Sequence, residues 1–346
     1  VTSRGSRIGV GLAIVALSLP IAALGVAYAA VITAPVGTTT EAAPAPAGTD
    51  AETEPENENN PLKSQTFYAD PQSLAAKAAA QAEAAESPSA AILQKLAAQP
   101  AGIWLTPEKY PTATVGDTVT GILDAADVEG ATPVFVVYGV PNRDCGNFST
   151  GGLTASEYPL WVSAIAGSFV GRSAVVILEP DALALSSQCG NTEERIAQIK
   201  GAVDTFSDTD AVVYLDGGHS TWLPATEMAQ LLNRAGISEV RGFATNVSNY
   251  NSTVKERAYG EKLSSLTGGS YYVVDTGRNG AGSNGEWCNP TGRALGAVPT
   301  VSAVGHLDAQ LWIKPPGESD GTCGGGPAAG EWWLERALEQ AGNAGW

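Results

Sequence analysis

The sequence predicts an α/β fold, a distorted TIM-like barrel of about seven parallel strands with surrounding helices. Three observations carry that expectation. Short runs rich in Val, Ile, Tyr and Phe recur at residues 102–105, 134–140, 174–178, 211–215, 242–245, 271–274 and 309–313. Most are apolar at consecutive positions, as strands covered on both faces are. The segments between them are long enough for crossovers, and several, such as residues 192–203 and 226–235, read as helices. Repeated strand, helix, strand order implies a parallel sheet with right-handed connections. Such a series closes more naturally into an irregular barrel than it stays open as a doubly wound sheet.

Ahead of the barrel the chain changes texture twice. Arg4 and Arg7 precede an uncharged apolar stretch over residues 8–36, so residues 1–36 read as a signal peptide or an N-terminal membrane anchor. An Ala-x-Ala pattern at Ala27, Tyr28 and Ala29 favours removal. The length of the stretch, enough to span ~30 Å of hydrocarbon, suits an anchor. Residues 37–66 hold six acids from Glu41 to Glu58 and almost no large apolar side chain. Such a segment buries too little surface to offset its ordering entropy, and a disordered acidic Pro/Thr/Glu-rich linker is expected. Residues 67–346 form the globular domain. It opens with an Ala-rich stretch over residues 73–99 that suits helix and is interrupted at Ser87-Pro88.

Charge and rare residues exclude several function classes. The chain has 36 Asp and Glu against 19 Lys and Arg, a formal charge of -17. That balance repels phosphate backbones, so nucleic acid is excluded as a partner. Only His219 and His306 supply imidazole, and the four cysteines form no Cys-x-x-Cys pair. A His-built or Cys-built zinc site is therefore not expected, and no metal or cofactor is called for.

The residues directly after each strand are the informative feature. The predicted strands run into Pro141-Asn142-Arg143-Asp144, Glu179-Pro180-Asp181, Asp216-Gly217-Gly218-His219, Asp275-Thr276, and Lys314 through Glu318 and Asp320. In a parallel barrel the C-terminal strand ends converge on one face, where catalytic groups reside. One Asp after one strand is ordinarily a turn or a helix cap; five in succession call for another reason. Clustered carboxylates suit a hard-metal site, or acid/base chemistry in which neighbours keep one carboxyl protonated. Trp104, Trp222 and Trp287 favour the second, because they stand in the polar or Gly/Pro-rich contexts GIWLTP, GHSTWLP and NGEWCNP. Flat indole faces beside Asp, Asn and His suit the C–H faces of pyranose rings. Trp312 within a strand, and Trp332 and Trp333 on a terminal helix, read as core.

The segments VVYGVPNRDCG, VVILEPDALA, VYLDGGH, ATNVSNY, VVDTGRNG, EWCNPTGRALG and LWIKPPGESDGTC occur in this order. Together they resemble glycoside hydrolase family six, cellulases that cut β-1,4-glucans with inversion, over about residues 67–346. The resemblance implies a distorted barrel with fewer strands than the regular eight. It implies that Asp181 is the general acid, that Asp144 raises the acid's pKa and joins its proton network, and that Asp320 is the candidate base. By the same resemblance Tyr138 helps distort the sugar at the cleavage point and Asp216 is an acidic position near the acid. Trp104, His219, Trp222, Asn246, Trp287, Lys314 and Glu318 match positions that hold glucosyl units. Thr150 stands where the family usually has the Ser that positions the water; Thr keeps the hydroxyl, and Ser149 is adjacent.

Four cysteines within the barrel region suit an exported chain, and three pairings are formally open. Cys145–Cys189 and Cys288–Cys323 are favoured, since each clamps a loop bearing a motif carboxylate. Closing loops of this size stabilises by roughly 4 kcal/mol. The spacing from Cys288 to Cys323 is modest and the Gly-rich stretch after Cys323 is short, leaving little chain to roof a groove. An open cleft and endo action on a β-1,4-glucan polysaccharide are therefore expected. A cellobiohydrolase of the same family, or a surface glucan-binding protein without turnover, is the alternative. The expected protein is a monomer without a second carbohydrate-binding domain, secreted or anchored to the outer face of the membrane.

Overall fold

The computed structural model describes residues 57–302 and 304–346. The expected signal peptide or anchor, and the expected linker up to residue 56, lie outside the described residues. The remainder of that linker is anchored on the barrel at three positions, which moves its boundary. Asn57, Asn60 and Leu62 are buried. Asn57 Nδ2 donates to Asp308 Oδ1 at 2.9 Å, and Asn60 Nδ2 donates to the carbonyls of Asp308 and Ser302 at 2.8 Å each. Composition hides this anchoring because two amides and one leucine do the work of a hydrophobic run.

The helices α1 (Leu74–Ala84) and α2 (Ala90–Ala97) form the expected interrupted Ala-rich pair. The Ser73 hydroxyl accepts the Ala76 N–H at 3.1 Å and starts the first of them. The barrel then runs through β1 (Ile103–Leu105), α3 (Thr112–Glu129), β2 (Val134–Val137), α4 (Tyr158–Ala166), β3 (Val175–Leu178), α5 (Thr192–Ser207) and β4 (Val212–Asp216). It continues with α6 (Ala225–Arg234), β5 (Gly242–Thr245), α7 (Thr253–Leu266), β6 (Tyr271–Asp275), β7 (Thr300–Val301), β8 (Leu307–Leu311) and α8 (Leu334–Asn343).

The sheet order is β1-β2-β3-β4-β5-β6-β8-β7. All neighbours pair in parallel except β7, which lies antiparallel on β8. The seven predicted runs are thus the seven parallel strands, and the two-residue β7 is an addition too short to leave a sequence pattern. The barrel is incomplete between β1 and β8. There the Gly102 N–H donates to the Trp312 carbonyl at 2.8 Å and the Trp104 indole donates to the Ile313 carbonyl at 2.9 Å, in place of a ladder. Gly102 permits this approach, since a Cβ there would lie 2.2 Å from the Ile313 oxygen.

Consecutive apolar residues reflect two packed faces. Val134, Val136, Val175, Ile177, Tyr214, Ala244, Val273, Ala309 and Leu311 cluster inside, plugged by Leu62 and Phe67. The alternate residues Phe135, Val137, Val176, Leu178, Val213, Leu215 and Phe243 pack with the surrounding helices. Trp312 is core, with Ala337 and Ala341 of α8. Trp332 and Trp333 precede α8 rather than standing on it, and Trp332 packs on the same cluster. Both disulfides join the favoured partners, Cys145–Cys189 and Cys288–Cys323, with Cα separations of 5.8 and 6.2 Å.

Candidate active site

The C-terminal strand ends leave regular geometry abruptly. Asn142, Asp144, Cys145, Glu179, Asp181, Asn246, Ser248 and Asn289 all adopt positive φ, conformations that cost non-glycine residues energy and persist where surroundings enforce them. Buried carboxylates hold several of these turns, accepting the N–H groups of Asp181, Ser248 and Asn289. Beyond β2 the chain departs from its ladder, and the Gly139 and Val140 N–H groups donate to Glu179 at 3.0 to 3.1 Å. Asp275, at the end of β6, accepts the N–H groups of Ser248, Gly277, Ile313 and Lys314 at 2.9 to 3.2 Å and so fastens three strand ends together. Of the five strand-end carboxylates expected to converge, Asp275 is therefore an internal fastener, 2 % exposed.

Asp181 is half-buried on the groove wall after β3. Its backbone N–H donates to Asp216 Oδ2 at 3.0 Å, and the same oxygen accepts the Gly218 N–H at 3.1 Å. Asp216 lies buried behind it rather than in the groove. Burial holds the Asp181 carboxyl well above the ordinary carboxylate range, reinforced in turn by the negative charges of Asp216, Asp144 and Asp320. Asp144 is thus one of the charges that raise the acid's pKa, beside burial and Asp216. Asp216 itself is pushed up to about 7, also by burial, and the Glu256 charge on α7 adds to that.

Asp144 is half-buried, and its Oδ2 accepts the Ser149 N–H at 2.8 Å. Burial raises its pKa, and the bond from Ser149 opposes this. Asp320 is bound differently. Arg278 Nη1 donates to both its oxygens at 2.8 and 3.0 Å, and the Tyr250 hydroxyl and Asn289 N–H donate to Oδ2 at 3.0 and 3.1 Å. Arg278 is 2 % exposed and stacks its guanidinium 4.5 Å from the Tyr250 ring. Carboxylate oxygens already occupied by a buried guanidinium have little left for a hard cation, which favours the acid/base reading of the cluster.

The groove has two continuous parts. One, of about 540 Å³, is lined by Asp144, Asp181, His219, Trp222, Trp287 and Asp320; the other, of about 790 Å³, by Thr150 and Glu318 among others. Trp104, Tyr138, Ser149 and Lys314 line both, so the parts meet there. Trp104 meets Tyr138 edge-on at 5.2 Å, and the Lys314 ammonium sits 5.3 Å over the Trp104 ring. His219 packs 5.3 Å from Trp222, and burial lowers its pKa to about 4, leaving a neutral imidazole at ordinary pH.

Asn246 is the exception among the expected sugar-holding residues. It is fully buried; its amide donates to the carbonyls of Asn251 and Asp275 at 3.2 and 2.9 Å, and its oxygen accepts the Asn251 N–H at 3.0 Å. Its side-chain polar atoms are spent on its own loop and on the end of β6, so Asn246 shapes the site without facing it. Residues not anticipated include Arg278, Tyr250 and Phe148. The exposed Phe148 ring meets Trp287 at 6.0 Å. Arg278 sits in the quoted VVDTGRNG segment, where a Gly-flanked strand-end arginine was the available signal.

The family model "Glycosyl hydrolases family 6" matches residues 62–344. The chain is 45% identical over 290 residues to endoglucanase A of Cellulomonas fimi, covering 83% of this chain and 63% of that one. It is 42% identical over 289 residues to endoglucanase A of Thermobispora bispora, covering 80% and 62%. It thus spans less than two thirds of the length of either relative. Among solved structures, the endoglucanase Cel6 of Mycobacterium tuberculosis, in complex with a methyl-cellobiosyl thio-cellobioside, superposes with a TM-score of 0.79 at 46% identity, covering 83% of this chain and all of that one.

Proposed function

The chain belongs to glycosyl hydrolases family 6, and from that premise we propose that it is an inverting endo-β-1,4-glucanase with Asp181 as general acid. The observation that carries the proposal is the half-buried Asp181 carboxyl, held protonated by burial and by Asp216, in a groove flanked by Trp104, His219, Trp222 and Trp287. A neutral carboxyl there donates its proton to the departing glycosidic oxygen, and a neutral His219 neither competes for that proton nor repels it. Tyr138 feels the charges of both Asp181 and Asp144 and stays a neutral phenol, suited to pressing on the sugar ring between them.

Inversion requires a water on the opposite face of the sugar and a base to accept its proton. Both Asp320 oxygens already accept from Arg278, and one of them also from Tyr250 and Asn289, which supports Asp144, acting through water, as the final acceptor of that proton. The Ser149 hydroxyl suits that water better than Thr150, because Ser149 lines the part of the groove holding Asp181 and Thr150 does not. Relatives named endoglucanases reach 41–46% identity to this chain and those named cellobiohydrolases only 30–31%, which favours attack within a chain over release of cellobiose from its end. Two disulfides support an extracellular site of action.

The test is the viscosity of soluble carboxymethyl cellulose followed together with reducing ends. Viscosity falling well ahead of reducing ends supports endo action, and cellobiose release at nearly constant viscosity overturns it. Proton NMR of fresh hydrolysate should show the α-anomer first.

A further inference from the structure

The groove does not stop at Glu318. Past Trp104 and Lys314 its larger part runs over the turn between β1 and α3 toward the start of α1. That turn is rigidly held. The N–H groups of Lys109 and Tyr110 both donate to the Thr106 carbonyl, at 3.1 and 2.8 Å, and the Tyr110 carbonyl accepts the indole N–H of the fully buried Trp161 at 2.8 Å. The Tyr110 ring is thereby fixed on the groove wall, with the Lys109 ammonium 5.0 Å over it. Lys109 also lies close enough to Glu318 for its charge to favour the carboxylate there. Trp104, Lys314, Glu318, Lys109 and Tyr110 thus form one unbroken wall. On the α1 side Gln72 and Lys77 are exposed on the same arm. Among the described residues, neither their side-chain nitrogens nor that of Lys109 donate to a protein acceptor.

We propose that this arm binds further glucosyl units of the same β-1,4-glucan, with Tyr110 as a stacking face and Lys109, Gln72 and Lys77 as donors to sugar hydroxyls. The proposal rests on the glucanase reading above. Continuity with Trp104, Tyr138 and Lys314 makes the occupant of the arm the continuation of whatever lies across Asp181. An aromatic ring with exposed side-chain donors around it is the chemistry that holds a pyranose. The arm, about 790 Å³, is larger than the part that holds the acid, about 540 Å³. A short oligosaccharide that ends at Trp104 and Lys314 leaves the residues beyond them unused, whereas binding energy gained there by a longer chain can be used at the cleavage point.

The experiment compares kcat/KM for cellotetraose, cellopentaose, cellohexaose and celloheptaose in the wild type, in Tyr110→Ala and in the Gln72→Ala/Lys77→Ala double variant. The wild type should keep gaining with chain length. Each variant should lose about tenfold on the longest substrate and stay within about twofold on cellotetraose, the scale of one stacking contact. Equal loss at every length in both variants, or an unchanged length dependence, overturns the arm as a sugar site. The double variant changes only exposed side chains, so it keeps the test independent of any packing loss at Tyr110. A wild type inactive on all four substrates overturns the glucanase reading itself, and the arm with it.

Discussion

Asp216 Oδ2 accepts the backbone N–H of Asp181 at 3.0 Å, which sets a buried carboxyl directly behind the acid without letting the two side chains share one face of the groove. The arrangement couples the two protons. Asp216 titrates at about 7, and once it ionises its charge disfavours ionisation of Asp181. In Asp216→Asn the backbone contact can persist while the charge is gone, so Asp181 should lose its proton earlier. The alkaline limb of the kcat/KM profile should move down by about one pH unit. The same limb should move less in Asp144→Ala, because Asp144 stands behind Asp216 among the causes. A larger shift in Asp144→Ala would reverse that order.

Asp181→Ala should cost about 10²- to 10⁴-fold on unmodified glucan, the range for loss of a general acid. On an aryl cellobioside whose phenolate leaves without protonation the loss should be far smaller. Equal losses on both substrates, measured as initial rates at one pH, would remove Asp181 from the acid role.

Much of this was legible in the sequence, and the gaps have physical causes. The parallel strands were visible because both faces of each are packed, so Val134 through Val137 or Val175 through Leu178 read as unbroken apolar runs. The carboxylates were visible because strand ends come directly after such runs. Side-chain direction was not: Asn246 and Ser248 lie in the same motif, yet the first turns into its own loop and the second lines the groove. Long-range partners were equally hidden. Nothing local to Asn57 announces that Asp308 lies across from it, and nothing local to Arg278 announces Asp320. Chain order does not encode which polar group waits in the fold for another.

The Arg278–Asp320 pair should matter to stability more than its two hydrogen bonds suggest. Both partners are nearly inaccessible, 2 % and 8 % exposed, so removing one leaves a desolvated charge uncompensated. Arg278→Met should destabilise by about 3 to 5 kcal/mol, the range for breaking a buried pair. Urea unfolding monitored by tryptophan fluorescence measures it. A loss below about 1 kcal/mol would mean that water or another cation reaches Asp320 in the variant.

Stability itself should fall as pH rises through the weakly acidic range, and Glu179 is one of the buried carboxyls that cause it. Its carboxyl is fully buried beneath the end of β2; burial pushes its pKa from 4.5 up to about 7, although Gly139, Val140 and Arg195 favour the charged form. Asp275 is raised to about 6 and Asp216 to about 7 by the same cause. Between the unfolded and folded pKa values of such a group, the native state binds more protons than the unfolded state, so stability decreases with pH. For Glu179 the window opens near 4.5 and closes near 7, and the full shift corresponds to roughly 3 kcal/mol. Glu179→Gln keeps a neutral group of the same shape and should flatten the pH dependence of the unfolding free energy across that window, with its largest relative gain at the upper end. Chemical denaturation at pH 4.5, 6 and 7.5 reads this directly. If the wild type instead gains stability from the first to the last of these, the buried carboxyls are ionised in the native state and paired well enough to reverse the sign.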